Sequence, residues 1–176
     1  MGLDITSYEH VALVEEVHAL EDSEGNYCGD PEEYGGQDHV RVYSPDFPDS
    51  LGSLQHDKCY LATGDTFGFR AGSYSGHGQF RAALCEAALG VPPENVWEDP
   101  DEFRGKPFYE LINFSDCEGA IGPEVCAKLA ADFQRERAVR DALEAKDLPG
   151  DWYVQKFDDW QRAFELAADT GLVQFH

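Results

Sequence analysis

The sequence predicts an α+β fold: a small, mainly antiparallel sheet with about three helices packed on it, in one domain over residues 1–176. Three observations lead there. Short stretches with apolar residues at every second position stand far apart in the chain, at 2–6 and 39–43. Two apolar runs, Cys59–Ala62 and Phe67–Arg70, flank Thr63-Gly64-Asp65-Thr66, a hairpin signal. Later stretches repeat apolar residues at steps of three and four, the helix period.

In order, residues 2–6 read as a strand with Leu3 and Ile5 on one side. Val11–Leu20 fits a strand or a helix. Residues 21–38 are Gly-rich and acidic and read as a surface loop. Val40 and Val42 share one face of a strand at His39–Tyr43, and the prolines and glycine of 45–57 mark a loop. After the predicted hairpin, Phe80, Leu84 and Ala87/Ala88 form a helical stripe that Gly90 and Pro92-Pro93 stop. Residues 91–107 read as a second acidic surface loop, and Tyr109–Phe114 as a short apolar strand. Gly122-Pro123 opens a helix whose stripe is Val125, Leu129 and Phe133, ended by Pro149-Gly150. Asp151 is placed to cap the last helix, with Tyr153, Phe157, Trp160 and Phe164 on its apolar stripe. Gly171 is placed as its stop, and Leu172–Phe175 returns as a strand. No repeat or composition shift marks a second domain.

Charge narrows the function classes. The chain carries 35 Asp and Glu against 13 Lys and Arg, a net charge of −22, and no cation precedes Arg41. Such a field repels the phosphates of nucleic acid and an anionic membrane surface, so neither direct nucleic-acid binding nor membrane binding is expected. It attracts a basic protein, or imitates DNA toward one. Five cysteines without a CxxC pair, behind an acidic N-terminus lacking a signal-peptide core, predict free thiols in a reducing cytoplasm.

Two segments concentrate chemistry. Phe69–Arg81 places two arginines, a histidine, two serines, a tyrosine and three glycines in thirteen residues. A strand ending at Arg70, a glycine-serine loop and a helix start near Gly78 would form an anion site. Arg70 and Arg81 would grip a phosphate or carboxylate, Ser73, Ser75 and His77 would donate, and Tyr74 would stack on a ring. The segment lacks the Gly-Lys-Ser/Thr ending of a phosphate-binding P-loop and the glycine spacing of a dinucleotide fingerprint. The second segment, Asn113 to Gly119, offers Asn113, Ser115, Asp116 and Glu118, oxygen donors hard enough for Mg²⁺ or Ca²⁺ or able to complete the first site. The carboxylates around Cys117 disfavour its thiolate, and no catalytic residue is assigned.

The opening Met1-Gly2-Leu3-Asp4-Ile5, the segments Phe67–Gly76 and Phe108–Gly122, and the tail Arg162–Ala168 resemble an uncharacterised family of small bacterial and phage or prophage proteins. The resemblance implies a mobile-element setting, in which such proteins bind a host component, and assigns no residue a role.

The leading expectation is therefore a binding protein holding a small anionic, nucleotide-like ligand at the Gly/Ser/Arg loop. The alternative is an acidic interaction module or DNA mimic that occupies a basic host protein, and the third is a metal-dependent phosphoesterase using Asp116 and Glu118. Self-repulsion at this charge predicts stability rising with salt: thermal unfolding should shift upward between about 0.05 M and about 1 M sodium chloride as screening shortens the Debye length from roughly 14 Å to roughly 3 Å.

Overall fold

The computed structural model describes residues 2–14, 39–44, 46–114, 119–146 and 150–176. Five strands, β1 (Gly2–Leu13), β2 (His39–Val42), β3 (Lys58–Ser73), β4 (Gly119–Ile121) and β5 (Leu172–Phe175), form one antiparallel sheet in the order β2-β3-β1-β5-β4. Seven helices among the described residues complete an α+β domain: α1 (Tyr74–Leu89), α2 (Pro93–Glu98), α3 (Pro100–Phe103), α4 (Tyr109–Asn113), α5 (Pro123–Arg135), α6 (Arg137–Lys146) and α7 (Trp152–Ala167).

The main core lies between the sheet and the helices. Leu3 and Ile5 of β1 and Val173 and Phe175 of β5 meet Phe80, Phe133, Phe157, Trp160 and Phe164, all buried. Trp160 is its centre, with Phe69, Phe164 and Phe175 at ring distances of 5.0, 5.4 and 5.5 Å. Ser7 Oγ donates to the Ala163 carbonyl at 2.7 Å, tying β1 to α7 without leaving a buried hydroxyl unpaired. Side chains of opposite parity, Tyr8 and Leu172, build a smaller cluster with Val40, Val42, Leu51, Tyr60 and Ala120. Val40 and Ala120 come from β2 and β4, the two ends of the strand order, so the sheet curls until its edges share this cluster.

Several expectations are corrected. The predicted hairpin is absent: residues 59–62 and 67–70 belong to one 16-residue strand, β3. Gly64, at φ +81°, and Asp65 form a bulge opposite Glu9, whose carboxylate accepts from the Asp65 amide at 2.8 Å. The twelve-residue β1 offers a partner along all of β3, so no turn is needed. β1 thereby extends past residue 6 and takes in Val11–Leu13. Tyr109–Asn113 is helical, not a strand; a short buried apolar run does not distinguish the two. The acidic 91–107 stretch contains α2 and α3, and a 3₁₀ turn occupies Pro48–Leu51 in the predicted 45–57 loop. The 123–146 helix breaks at Glu136 (φ −86°, ψ 54°) into α5 and α6. Asp151 makes no side-chain cap bond. Gly171 serves close approach and not a helix stop: a Cβ there would sit 2.0 Å from the Tyr8 carbonyl oxygen.

Two glycines separate backbone crowding from propensity. At Gly122 a Cβ would lie 2.0 Å from the Leu51 carbonyl oxygen, whereas Gly78, inside α1, has nothing within 4 Å. Gly122→Ala should destabilise by more than about 2 kcal/mol, the scale of overpacked sites. Gly78→Ala should stabilise by about 0.5–1 kcal/mol through helix propensity. Urea unfolding of both variants measures the pair.

Candidate functional site

The Phe69–Arg81 segment straddles the end of β3 and the first turns of α1, and this geometry disperses its side chains. Arg70 stands directly opposite Asp4 in the β1–β3 ladder. Its guanidinium is 61% exposed and pairs with Asp4 Oδ1 at 3.7 Å. Gly2 lies beneath it, close enough that a Cβ would meet Nη2 at 1.7 Å. Such an exposed cross-strand pair contributes little to stability. Ser73 is the N-cap of α1: its Oγ accepts from the Gly76 amide at 3.0 Å and lies 3.0 Å from Ser75 Oγ. α1 therefore begins at Tyr74, earlier than the predicted start near Gly78, and Tyr74 packs against the main core. His77 is fully buried, its ring 5.6 Å from Trp160 and 6.3 Å from Phe175. Arg81 is 7% exposed on the inner side of α1. Arg70 thus faces outward while His77 and Arg81 face inward, so the three do not share one face.

Arg81 meets the backbone on either side of Asn113, not the Asn113 side chain. Arg81 Nη1 donates to the carbonyls of Phe114 (2.5 Å) and Ile112 (3.4 Å), groups that the short α4 leaves without helical partners. Trp97 Nε1 donates to the same Ile112 carbonyl at 3.2 Å, and the Arg81 guanidinium lies 5.7 Å from the Trp97 ring centre. Arg81 is thus a positioning residue: it holds the end of α4 and supports Trp97, which is 45% exposed. Asn113 lines a hollow of about 280 Å³ next to this junction. Phe47 and Phe114, rings 5.2 Å apart, and Tyr109 give it aromatic walls. Asp46, Asp49 and Glu110 supply carboxylates, and Arg104 reaches Asp49 at 3.2 Å and Asp101 at 3.4 Å. Burial pushes the Tyr109 phenol above its usual range, with Arg104 opposing.

Around Trp97 the surface is acidic. Glu94, Glu98, Asp99, Asp101 and Glu102 are all exposed on α2, α3 and their junction. Many of the described cations pair with carboxylates of the same chain. Arg41 pairs with Asp57, Lys106 with Glu102, Lys128 with Glu110 and Asp132, Arg140 with Asp158, Lys146 with Glu86 and Lys156 with Asp159.

Ser115, Asp116 and Glu118, with the Mg²⁺ or Ca²⁺ expectation built on the two acids, lie outside the described residues, as does Cys117. Among the described residues no cluster of three His, Cys, Asp or Glu is arranged to hold a metal ion. The free-thiol expectation fails at Cys59, which is disulfide-bonded. An odd count without CxxC spacing does not prevent cysteines distant in sequence from pairing. The argument for a reducing compartment loses that support. Cys85 and Cys126 are buried free thiols, and burial pushes Cys85 up to about 11 and Cys126 higher still. No helix among the described residues is long and apolar enough to cross a membrane. Comparison with protein-family models, curated proteins and solved structures found no match.

Sequence reasoning read the acids of 91–107 as a solvated loop and so missed the support beneath Trp97. The available signal was a tryptophan set among five acids between two proline-started turns. Replacing Arg81 with Met keeps the stem and leaves both carbonyls without that partner. The expected result is a Tm lower by roughly 2–12 °C, from about 1–3 kcal/mol for the Phe114 carbonyl while Ile112 keeps Trp97 as a donor, with a red-shifted tryptophan emission that thermal scans and fluorescence report.

Proposed function

We propose that the protein is a binding protein for a cationic macromolecular partner, docking through the acidic face centred on Trp97. The observation that carries the reading is an exposed indole, held by its own N–H bond and by Arg81, on a helix and junction that also expose the carboxylates of Glu94, Glu98 and Asp99. An aromatic anchor surrounded by charge suits a partner rich in Lys and Arg: the ring accepts a cation on its face, and the carboxylates steer encounter. Arg104 and Lys106 pair with Asp101 and Glu102 of this face, and the carboxylates of Glu94, Glu98 and Asp99 carry its remaining negative charge. The resemblance to phage and prophage proteins adds the expectation that the partner is a host protein, for instance one that normally grips nucleic acid. A small anionic ligand at the Gly/Ser/Arg loop has less support, because Arg70 faces Asp4 and His77 is core. The phosphoesterase reading gains no observation.

Titration calorimetry with a deca-arginine peptide tests the face. Binding should weaken with added salt and fall by more than about tenfold, ~1.4 kcal/mol, in Glu94→Lys/Glu98→Lys/Asp99→Lys. Trp97→Ala should weaken it by about fivefold. The same charge change made at Asp141, Glu144 and Asp169, exposed elsewhere, should cost less than about threefold. Equal losses from both triple variants would reduce the interaction to net charge and end this reading.

A further inference from the structure

β3 outruns its neighbour on one side. β2 pairs with it only as far as His39 opposite Leu61, whereas β1 follows it to Ser73. Among the described residues, 62–73 therefore have a strand on one side alone, and their other edge has no strand partner. The backbone itself is exposed there: Gly64 and Gly68 carry no side chain, and both are exposed. In an antiparallel ladder alternate residues turn their N–H and C=O groups away from the paired strand, so this edge offers a row of donors and acceptors. Natural edges are blunted by charge, proline or a bulge. Here the Gly64–Asp65 bulge stands at one end and Arg70 at the other, and Thr66-Phe67-Gly68-Phe69 between them carries neither charge nor proline.

We propose that this edge takes an added strand from a partner: an extended peptide segment with apolar side chains on the α7 side and a carboxylate that meets Arg162. Main-chain bonds to β3 supply the affinity and alternate side chains the choice of partner. The surroundings of the edge define that choice. Phe67 and Phe69, stacked with ring centres 5.7 Å apart, are half-buried on the α7 side, Phe69 against Trp160 at 5.0 Å. Apolar side chains of an added strand extend this aromatic pair. Lys156 lies 5.4 Å from the Phe69 ring centre and is already paired with Asp159. Arg162 lies 4.1 Å from the Phe67 ring centre, is exposed and, among the described residues, has no carboxylate partner. A visiting carboxylate supplies the missing charge in a bidentate bond. A second copy of this chain suits the edge less well, because it brings a net charge of −22 and a further Arg162. A short segment with one or two carboxylates meets far less of that repulsion.

The edge shares no residue with the Trp97 face, and its test is independent of that reading. The probe is the heptapeptide acetyl-Thr-Val-Glu-Val-Glu-Val-Thr-amide at about 1 mM, with amide hydrogen exchange of the full chain read by NMR. Alternate amides within residues 63–71 should exchange more than about threefold more slowly when it is present. The same peptide N-methylated throughout keeps its side chains but loses its donors, and should protect none of them. Arg162→Gln should weaken the heptapeptide by about threefold, the scale of an exposed ion pair, whereas Arg137→Gln, a cation removed from the exposed side of α6, should change it by less than about 1.5-fold. A melting scan confirms that both variants fold. Unchanged exchange across residues 63–71 with the heptapeptide, equal protection by the N-methylated form, or undiminished affinity in folded Arg162→Gln overturns the proposal. So does a dimer in light scattering at about 0.1 mM that protects these amides without any peptide, which gives the edge to a second copy.

Discussion

Everything in this fold hangs on the return of the chain to the middle of its own sheet. β5 is four residues long, yet it lies between β1 and β4 and presents Leu172 to one cluster and Val173 and Phe175 to the other. Without it β4 has no partner and β1 becomes an edge. The return is abrupt, since α7 ends at Ala167 and β5 begins at Leu172. Gly171 makes the passage by lying against the backbone of Tyr8, where no side chain fits. Phe175 then meets Trp160, Phe114 and His77, so strand, last helix, first helix and the end of α4 are packed around one ring.

That packing explains why the densest chemical segment of the sequence does not form one site. Strand parity sends Arg70 outward opposite Asp4, and the helix that starts at Tyr74 turns His77 and Arg81 inward onto the core. A concentration of donors along the chain becomes a concentration in space only when the backbone holds them on one face, and a strand-to-helix junction rotates them apart. Each was put to a structural use: Ser73 caps, His77 fills a gap among aromatic rings, and Arg81 satisfies carbonyls that a five-residue helix leaves open.

The sequence was legible where period and punctuation agreed. Val40 and Val42, the Gly90 stop in left-handed conformation, and the α7 stripe through Phe157, Trp160 and Phe164 all lie where local rules place them. It was misleading where partners distant in sequence decide. Thr63-Gly64-Asp65-Thr66 has turn chemistry, yet Glu9 takes the Asp65 amide and the strand runs on through a bulge. Tyr109–Asn113 is too short for its period to be read, and its helical state depends on contacts such as Asp132 accepting from the Phe108 amide at 2.9 Å. The curl of the sheet was beyond sequence reasoning altogether, because Val40 and Ala120, from its two edges, share a cluster only when the sheet bends round on itself.

The distribution of charge gives the outer surface its character. In a chain this acidic, each cation has several carboxylates within reach, and most form local pairs that leave the exterior negative. On the proposed reading, long-range attraction would belong to the outer face, and Trp97 would supply the short-range contact that charge alone lacks. Added salt would separate the two contributions, since screening weakens the long-range attraction and leaves the contact at the ring in place.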